Sequence, residues 1–299
     1  MLCSLLQASM QSKGPGVPAA LIAGVPADVL QHLQPSHIDN LLQAALASQD
    51  QLGTRQRLQA VCALPAAQVL DAHSVCCQLQ TAVQHPDATA AAALCELVGA
   101  QQIDENSICS LPAEALASGG YQKVQALVLL AAAQSLTADA LLPIAVAAVC
   151  SSESQPLSAL LQLPAAAGLS GAAVDTLLHA AVDAVGRSGE AFAVHVAALC
   201  GLDGAAAAGS EALVAALQAA IERCSSDNSP CAEVTAAVVK VCKLMAKQQC
   251  DVSAAQLAAL LKAAHSKRMS HYVWMLLDLP QALQLQEPIV TDVLQQVID

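Results

Sequence analysis

The sequence predicts an all-α protein, an α-solenoid of helix-turn-helix repeats, and three observations predict it. First, a short apolar motif returns along the chain. Ala60-Val61-Cys62-Ala63-Leu64, Ala93-Leu94-Cys95-Glu96-Leu97, Ala126-Leu127-Val128-Leu129-Leu130 and Ala159-Leu160-Leu161-Gln162-Leu163 end on leucines a constant 33 positions apart. A period of this size marks a repeat array rather than a globule. Second, aromatic residues make up 1% of the chain and hydrophobic ones 56%. Such a core is filled by Ala, Leu and Val, which suits closely approaching helices better than strands. Third, apolar residues between the motifs recur at helical spacing, as in Leu41, Leu42, Ala45 and Leu46, or Leu177, Leu178, Ala181 and Val182.

In chain order, residues 1–16 end in Gly14-Pro15-Gly16 and are expected to form a flexible leader. Residues 17–299 are expected to form one array, a right-handed superhelix of about seven two-helix units by the repeat rule. Pro26-Ala27-Asp28-Val29-Leu30 and Pro112-Ala113-Glu114-Ala115-Leu116 each place Pro and an acid in a first helical turn. Within a unit, a first helix with a Leu-Leu face leads to a polar or Gly-containing joint. Examples are Gln84-His85-Pro86-Asp87, Ser118-Gly119-Gly120 and Ser151-Ser152-Glu153-Ser154. A second helix then ends in the motif. An apolar residue follows six positions beyond the motif Leu (Leu70, Ile103, Leu136, Leu169), and then an N-cap candidate (Asp71, Asp104, Thr137, Ser170). Looser copies of the motif end at Leu202, Leu244 and Leu279, with expansions at Leu202–Ser210 and Cys224–Cys231. One such unit is too small to fold alone, and stacking neighbours buries its remaining apolar faces.

The stretch Ala117-Ser118-Gly119-Gly120-Tyr121-Gln122-Lys123-Val124-Gln125-Ala126-Leu127-Val128 resembles the inner-helix end, Gly turn and outer helix of the ankyrin repeats. Asp175-Thr176-Leu177-Leu178-His179-Ala180-Ala181 echoes that family's Thr-Pro-Leu-His signature, which is itself absent. Of its Gly-Ala-Asp hairpin, Val98-Gly99-Ala100 is the nearest trace. The likeness in spacing extends over residues 70–200. With the hairpin signature missing, a purely helical, ankyrin-like solenoid is expected, and the resemblance implies partner binding on a concave surface and no catalysis.

Formal net charge is −12, unevenly spread: residues 1–220 hold 16 acidic and 5 basic side chains, residues 221–299 hold 8 and 7. The body should repel nucleic acid and anionic membranes, while the last part is locally more basic. Of the 12 cysteines, Cys62, Cys95, Cys200 and Cys242 sit at the motif, where a thiol serves as a small buried hydrophobe. A reducing compartment, the cytoplasm, is therefore expected. Met1–Ala27 lacks acids but has one Lys and no Arg, so it does not read as a transit peptide, and import into an organelle stays open. The most apolar window, Val124–Cys150, is divided by Gln134-Ser135-Leu136-Thr137-Ala138-Asp139, a turn and a helix start. It reads as repeat core and not as a membrane span.

Candidate chemistry is sparse. His73, Cys76, Cys77 and His85 have spacing a zinc ion uses, but no second Cys-x-x-Cys pair accompanies them. Cys224 and Cys231 bracket a polar loop and read either as a disulfide or redox clip or as two free thiols. Gly168-Leu169-Ser170-Gly171 and Gly186-Arg187-Ser188-Gly189 lack the spacing of a nucleophile elbow. No enzyme, metal or cofactor is expected. One basic and aromatic concentration remains: Lys240, Lys243, Lys247, Lys262, Lys267 and Arg268, with Tyr272 and Trp274. It reads as a binding surface for an acidic segment of another protein, set against a plain solvated face. The expected function is a non-catalytic protein–protein interaction scaffold. The alternative, an organellar RNA-binding helical repeat, would need basic charge and polar base-reading positions where this chain has Ala and Leu.

Overall fold

A computed structural model of the chain describes residues 2–11, 16–47, 51–151, 153–184, 189–223, 232–250, 252–267, 269–280 and 282. Among these residues every regular element is a helix. They form two compact units that divide after Ala140. The first holds α1 (Leu2–Met10), α2 (Val17–Gly24), α3 (Ala27–Gln31), α4 (Pro35–Leu46), α5 (Gln51–Cys62), α6 (Ala72–Gln84) and α7 (Thr89–Cys95). It continues with α8 (Glu105–Ile108), α9 (Ser110–Ala117), α10 (Tyr121–Leu127) and α11 (Ala131–Gln134). Where a flexible leader is expected, α1 is a helix. Leu6 and Met10, one turn apart, are buried in a helix that packs on α2 and α4.

The end of each motif helix has a physical cause. Pro65 has no N–H to continue α5 and biases the residue before it towards extended backbone. Leu64 accordingly sits at φ −69, ψ 138. Leu97 and Leu130 adopt φ −70, ψ 144 without a following Pro. A tight turn follows each Leu: 3₁₀ over Pro65–Val69 and Val98–Gln102, and α11 in the third copy. The motif leucines are buried, and so are Leu70, Ile103 and Leu136 where the turn ends. Asp71 then accepts the Ser74 N–H at 2.7 Å, Asp104 the Ser107 N–H at 2.9 Å, and Thr137 the Ala140 N–H at 3.3 Å. Each is an N-cap satisfying a donor that a helix start leaves unpaired.

A second device closes the other end. Gln68, Gln101 and Gln134 donate from Nε2 to the carbonyls of Cys62, Cys95 and Val128 at 2.9, 3.3 and 2.7 Å. These are helix C-terminal carbonyls that have lost their helical partners. Each Gln stands four residues after a motif Leu, a period visible in the sequence. Successive turns also touch. A Cβ at Gly99 would collide with the Leu70 carbonyl oxygen. The Gln101 carboxamide oxygen accepts the Ala131 N–H at 3.1 Å. Between α9 and α10, Gly119 at φ 71 lets Gly120 N–H reach the Ala115 carbonyl at 2.9 Å, a Schellman stop.

The second unit holds α12 (Ala138–Val149, begun just before the division), α13 (Gln155–Leu160), α14 (Gly171–Asp183) and α15 (Gly189–Leu199). It continues with α16 (Ser210–Arg223), α17 (Ala232–Gln248), α18 (Ala254–Ser266) and α19 (Ser270–Leu277). The same turn appears after Leu163 (φ −66, ψ 144) and after Leu202 (φ −76, ψ 149). Gly204 lies against the Leu169 carbonyl as Gly99 lies against that of Leu70. Among the described residues no helix is long and apolar enough to cross a membrane.

One expected turn does not form. The motif copy ending at Leu244 lies inside α17, which runs on to Gln248. Met245-Ala246-Lys247-Gln248 are good helix formers with no Pro among them, so nothing stops the helix at Leu244. It stops instead where Gln249 takes φ 51 and Cys250 N–H bonds the Met245 carbonyl at 3.1 Å.

Four of the largest buried side chains with polar groups share one sequence position. Arg57, Lys123, His195 and Tyr272 each stand seven residues before a motif Leu, and all are buried. Lys123 Nζ donates to the carbonyls of Val83 and His85 at 2.6 and 2.7 Å and to Ser118 Oγ at 3.1 Å, closing the joint after α6. His195 Nε2 lies 3.3 Å from the Glu153 carbonyl in the joint before α13. Arg223 does related work from a different position, donating to the Val182 carbonyl at 2.7 Å with its guanidinium 4.2 Å from the Phe192 ring centre.

Candidate functional site

The basic and aromatic residues singled out in the sequence separate into three groups. Lys240, Lys243 and Lys247 are exposed along α17, spaced to share one face. Lys240 also donates to the Ala197 carbonyl of α15 at 2.9 Å. Lys262 is exposed on α18 and Lys267 is half-buried just after it. Arg268 lies outside the described residues. The aromatic pair divides as well. Tyr272 is not a surface residue: its ring is buried and its hydroxyl lies 3.0 Å from Thr235 Oγ1. Trp274, two residues on, is 56% exposed. On a helix such a pair points some 200° apart, so one faces the core and the other the solvent.

Beside the α17 lysines lies an open groove of about 330 Å³, lined by Val239, Cys242, Lys243, Ala246, Met275, Asp278 and Leu279. Five of these are apolar, and Lys243 and Asp278 bring the only charges, one from the α17 side and one from the α19 side. Of the basic set, Lys243 alone lines the groove. Sequence reasoning did not find Val239, Ala246, Met275 and Asp278. The signal that was there is a missing one. N-caps Asp71, Asp104, Thr137 and Ser170 each follow a motif Leu by seven residues, and seven before N-cap Ser253 stands Ala246. A small side chain occupies the place of a large one.

Thiol chemistry at this site is suppressed. Cys242 is buried, and desolvation pushes its thiol up to about 12. Burial does the same to Cys62 and Cys95, each to about 12, with Glu96 adding a smaller push. Cys200 is half-buried rather than buried, with its thiol raised to about 11. A thiol so protonated is a poor nucleophile and a poor metal ligand. Cys224 and Cys231, the clip candidates, lie outside the described residues.

The zinc-spaced set does not assemble. His73 Nε2 is 3.9 Å from Cys77 Sγ at the surface, Cys76 is buried, and the His85 ring accepts the Asp87 N–H at 3.0 Å. Among the described residues no group of three or more His, Cys, Asp or Glu could hold a metal ion. What the α17–α19 arrangement offers is shape, apolar surface and a row of positive charge. No family model, curated protein or solved structure matches the chain.

Proposed function

We propose that this chain is a non-catalytic protein–protein interaction scaffold, an ankyrin-like helical solenoid. The observation that supports this reading is the recurring turn. Leu64, Leu97, Leu130, Leu163 and Leu202 share one backbone conformation, each followed by a tight turn and then a new helix. A unit that ends the same way each time, and touches the next turn backbone to backbone, is suited to stacking in a line. Stacked units leave extended surfaces, and such surfaces bind partner chains. The exposed lysines of α17 within an otherwise acidic protein fit an acidic segment of that partner. A reducing compartment agrees with thiols kept buried and protonated.

The test uses the full chain as bait, with covalent crosslinking and identification of the crosslinked peptides. A protein partner joined through α17, retained after nuclease treatment, is the expected result. A salt titration with an RNA oligonucleotide separates the alternative: affinity falling steeply with salt, at physiological strength, would make this an RNA-binding repeat instead.

A further inference from the structure

We propose that the groove between α17 and α19 receives an aliphatic side chain presented by an acidic amphipathic helix of the partner protein. This rests on the scaffold reading and says where, and with what chemistry, the partner is held. The first argument is the gap itself. At the other turns the chain supplies its own leucine: Leu64, Leu97, Leu130, Leu163 and Leu202 are all extended there, and all but the last are buried. At the equivalent count before Ser253 the residue is Ala246, the helix continues through it, and a groove opens whose wall includes Ala246. An apolar side chain from outside would contact Val239, Cys242, Met275 and Leu279 there.

The second argument is charge. Lys243 lines the groove, and Lys240 and Lys247 stand on the same helix at intervals of three and four from it, the spacing at which carboxylates repeat on one face of a helix. They stand on a chain of net charge −12, so this row is a local reversal. The third is an exposed ring nearby: Trp274 stands in α19 one turn before Asp278, the groove residue that caps this helix, and is of the type that anchors interfaces. An apolar groove between two helices, with Lys243 on its wall and further lysines along the same helix, fits the helix-in-groove mode of recognition. A neutral thiol on the floor, its pKa raised by burial, agrees with an apolar guest.

The probe is a synthetic helical peptide of about four turns, with leucines on one face and glutamates flanking them, labelled for fluorescence anisotropy. Its control carries serines in place of the leucines at unchanged charge. With the full chain, the leucine peptide is expected to bind and to shift Trp274 emission, and the serine peptide to bind about tenfold more weakly. Ala246→Leu, which fills the groove from within, is expected to weaken the leucine peptide about tenfold. Lys243→Glu with Lys247→Glu is expected to weaken it about fivefold in low salt, with the difference closing in high salt. The peptide comparison on the unaltered chain stands even if Ala246→Leu fails to fold, which circular dichroism would reveal.

Equal affinity for the two peptides, or no binding of either, overturns the proposal. So does a dimer that dissociates in Ala246→Leu, which would give the groove to a second copy, or binding that appears only once residues 283–299 are removed. A crosslinked protein partner whose affinity Ala246→Leu leaves untouched would overturn the groove and leave the scaffold standing. RNA as the only crosslinked molecule would overturn both.

Discussion

At Lys123 an ammonium group is withdrawn from water and held by two backbone carbonyls and a serine hydroxyl. Desolvation lowers its pKa, and the Asp87 carboxylate opposes that shift in part. The exchange is favourable because the His85 carbonyl, just past the end of α6, would otherwise lack this donor, while the Val83 carbonyl in the last turn also accepts from Ser118 Oγ at 2.9 Å. Lys123→Met keeps the length of the chain and removes the donors. It should destabilise by about 1–3 kcal/mol through the orphaned His85 carbonyl, read from denaturant midpoints. Thiols provide a second residue-scale check. Cys62, Cys95 and Cys242 are buried with raised pKa values, whereas Cys77 and Cys150 are exposed. Under native conditions an aromatic disulfide reagent should modify Cys77 and Cys150 quickly and the other three only as fast as the protein unfolds. Modification of all five in one fast phase would contradict the packing described above.

The element that governs this fold is the turn after the motif Leu, and its parts can be removed singly. Leu97 is wholly buried at the point where α7 ends. Leu97→Ala should cost about 2–5 kcal/mol, the range for emptying a packed site. Gly99→Ala drives a methyl into the Leu70 carbonyl oxygen, so it should also destabilise, by about 1–3 kcal/mol as overpacked sites do. The helix starts have a pH signature. The Asp71 and Asp104 carboxylates are held below their ordinary range, first by the backbone N–H groups of Ser74 and Ser107 that they cap. The unfolded chain therefore binds protons at higher pH than the native one. The caps contribute in full above about pH 4, and their contribution is lost as pH falls through the depressed native values. Asp71→Asn with Asp104→Asn keeps the cap geometry and removes the charge. Its melting temperature should fall less steeply than that of the parent protein as the pH drops below about 4.

At the scale of the whole molecule, charge is the feature that connects architecture to binding. Reversing Lys243 and Lys247 to Glu alters two exposed side chains and no buried one. Surface changes of this kind usually leave stability within about 0.5 kcal/mol. Helical content and melting temperature should therefore stay nearly unchanged, while affinity for the crosslinked partner falls in low salt. Unaltered affinity by calorimetry would remove the α17 lysines from the binding surface. Lys262 is a useful contrast: it is exposed on α18 and does not line the groove. Lys262→Glu should have a smaller effect at the same ionic strength.

Sequence alone determined that the chain is helical, where most helices stop and which leucines are buried. It could do so because each rests on local chemistry. Periodic apolar residues make a helix face, Pro65 and Pro164 end helices, and Asp71, Asp104 and Ser170 start them. The glutamines that close the motif helices were not read from the sequence, although they stand in step with the leucines; their bonds to the Cys62, Cys95 and Val128 carbonyls show the role. The Leu244 copy was misread because one apolar pentapeptide looks the same inside a helix as at its end. What ends α17 is Gln249 in a left-handed conformation, which no Gly announces. Tyr272 and Trp274 could not be told apart for a related reason: composition groups them, and only the rotation of α19 sends one inward and the other out. The groove was decided by tertiary structure altogether. It is made of a side chain that is absent, beside Met275 and Leu279 some thirty residues further along, and only the packing of α19 on α17 brings the two sides together.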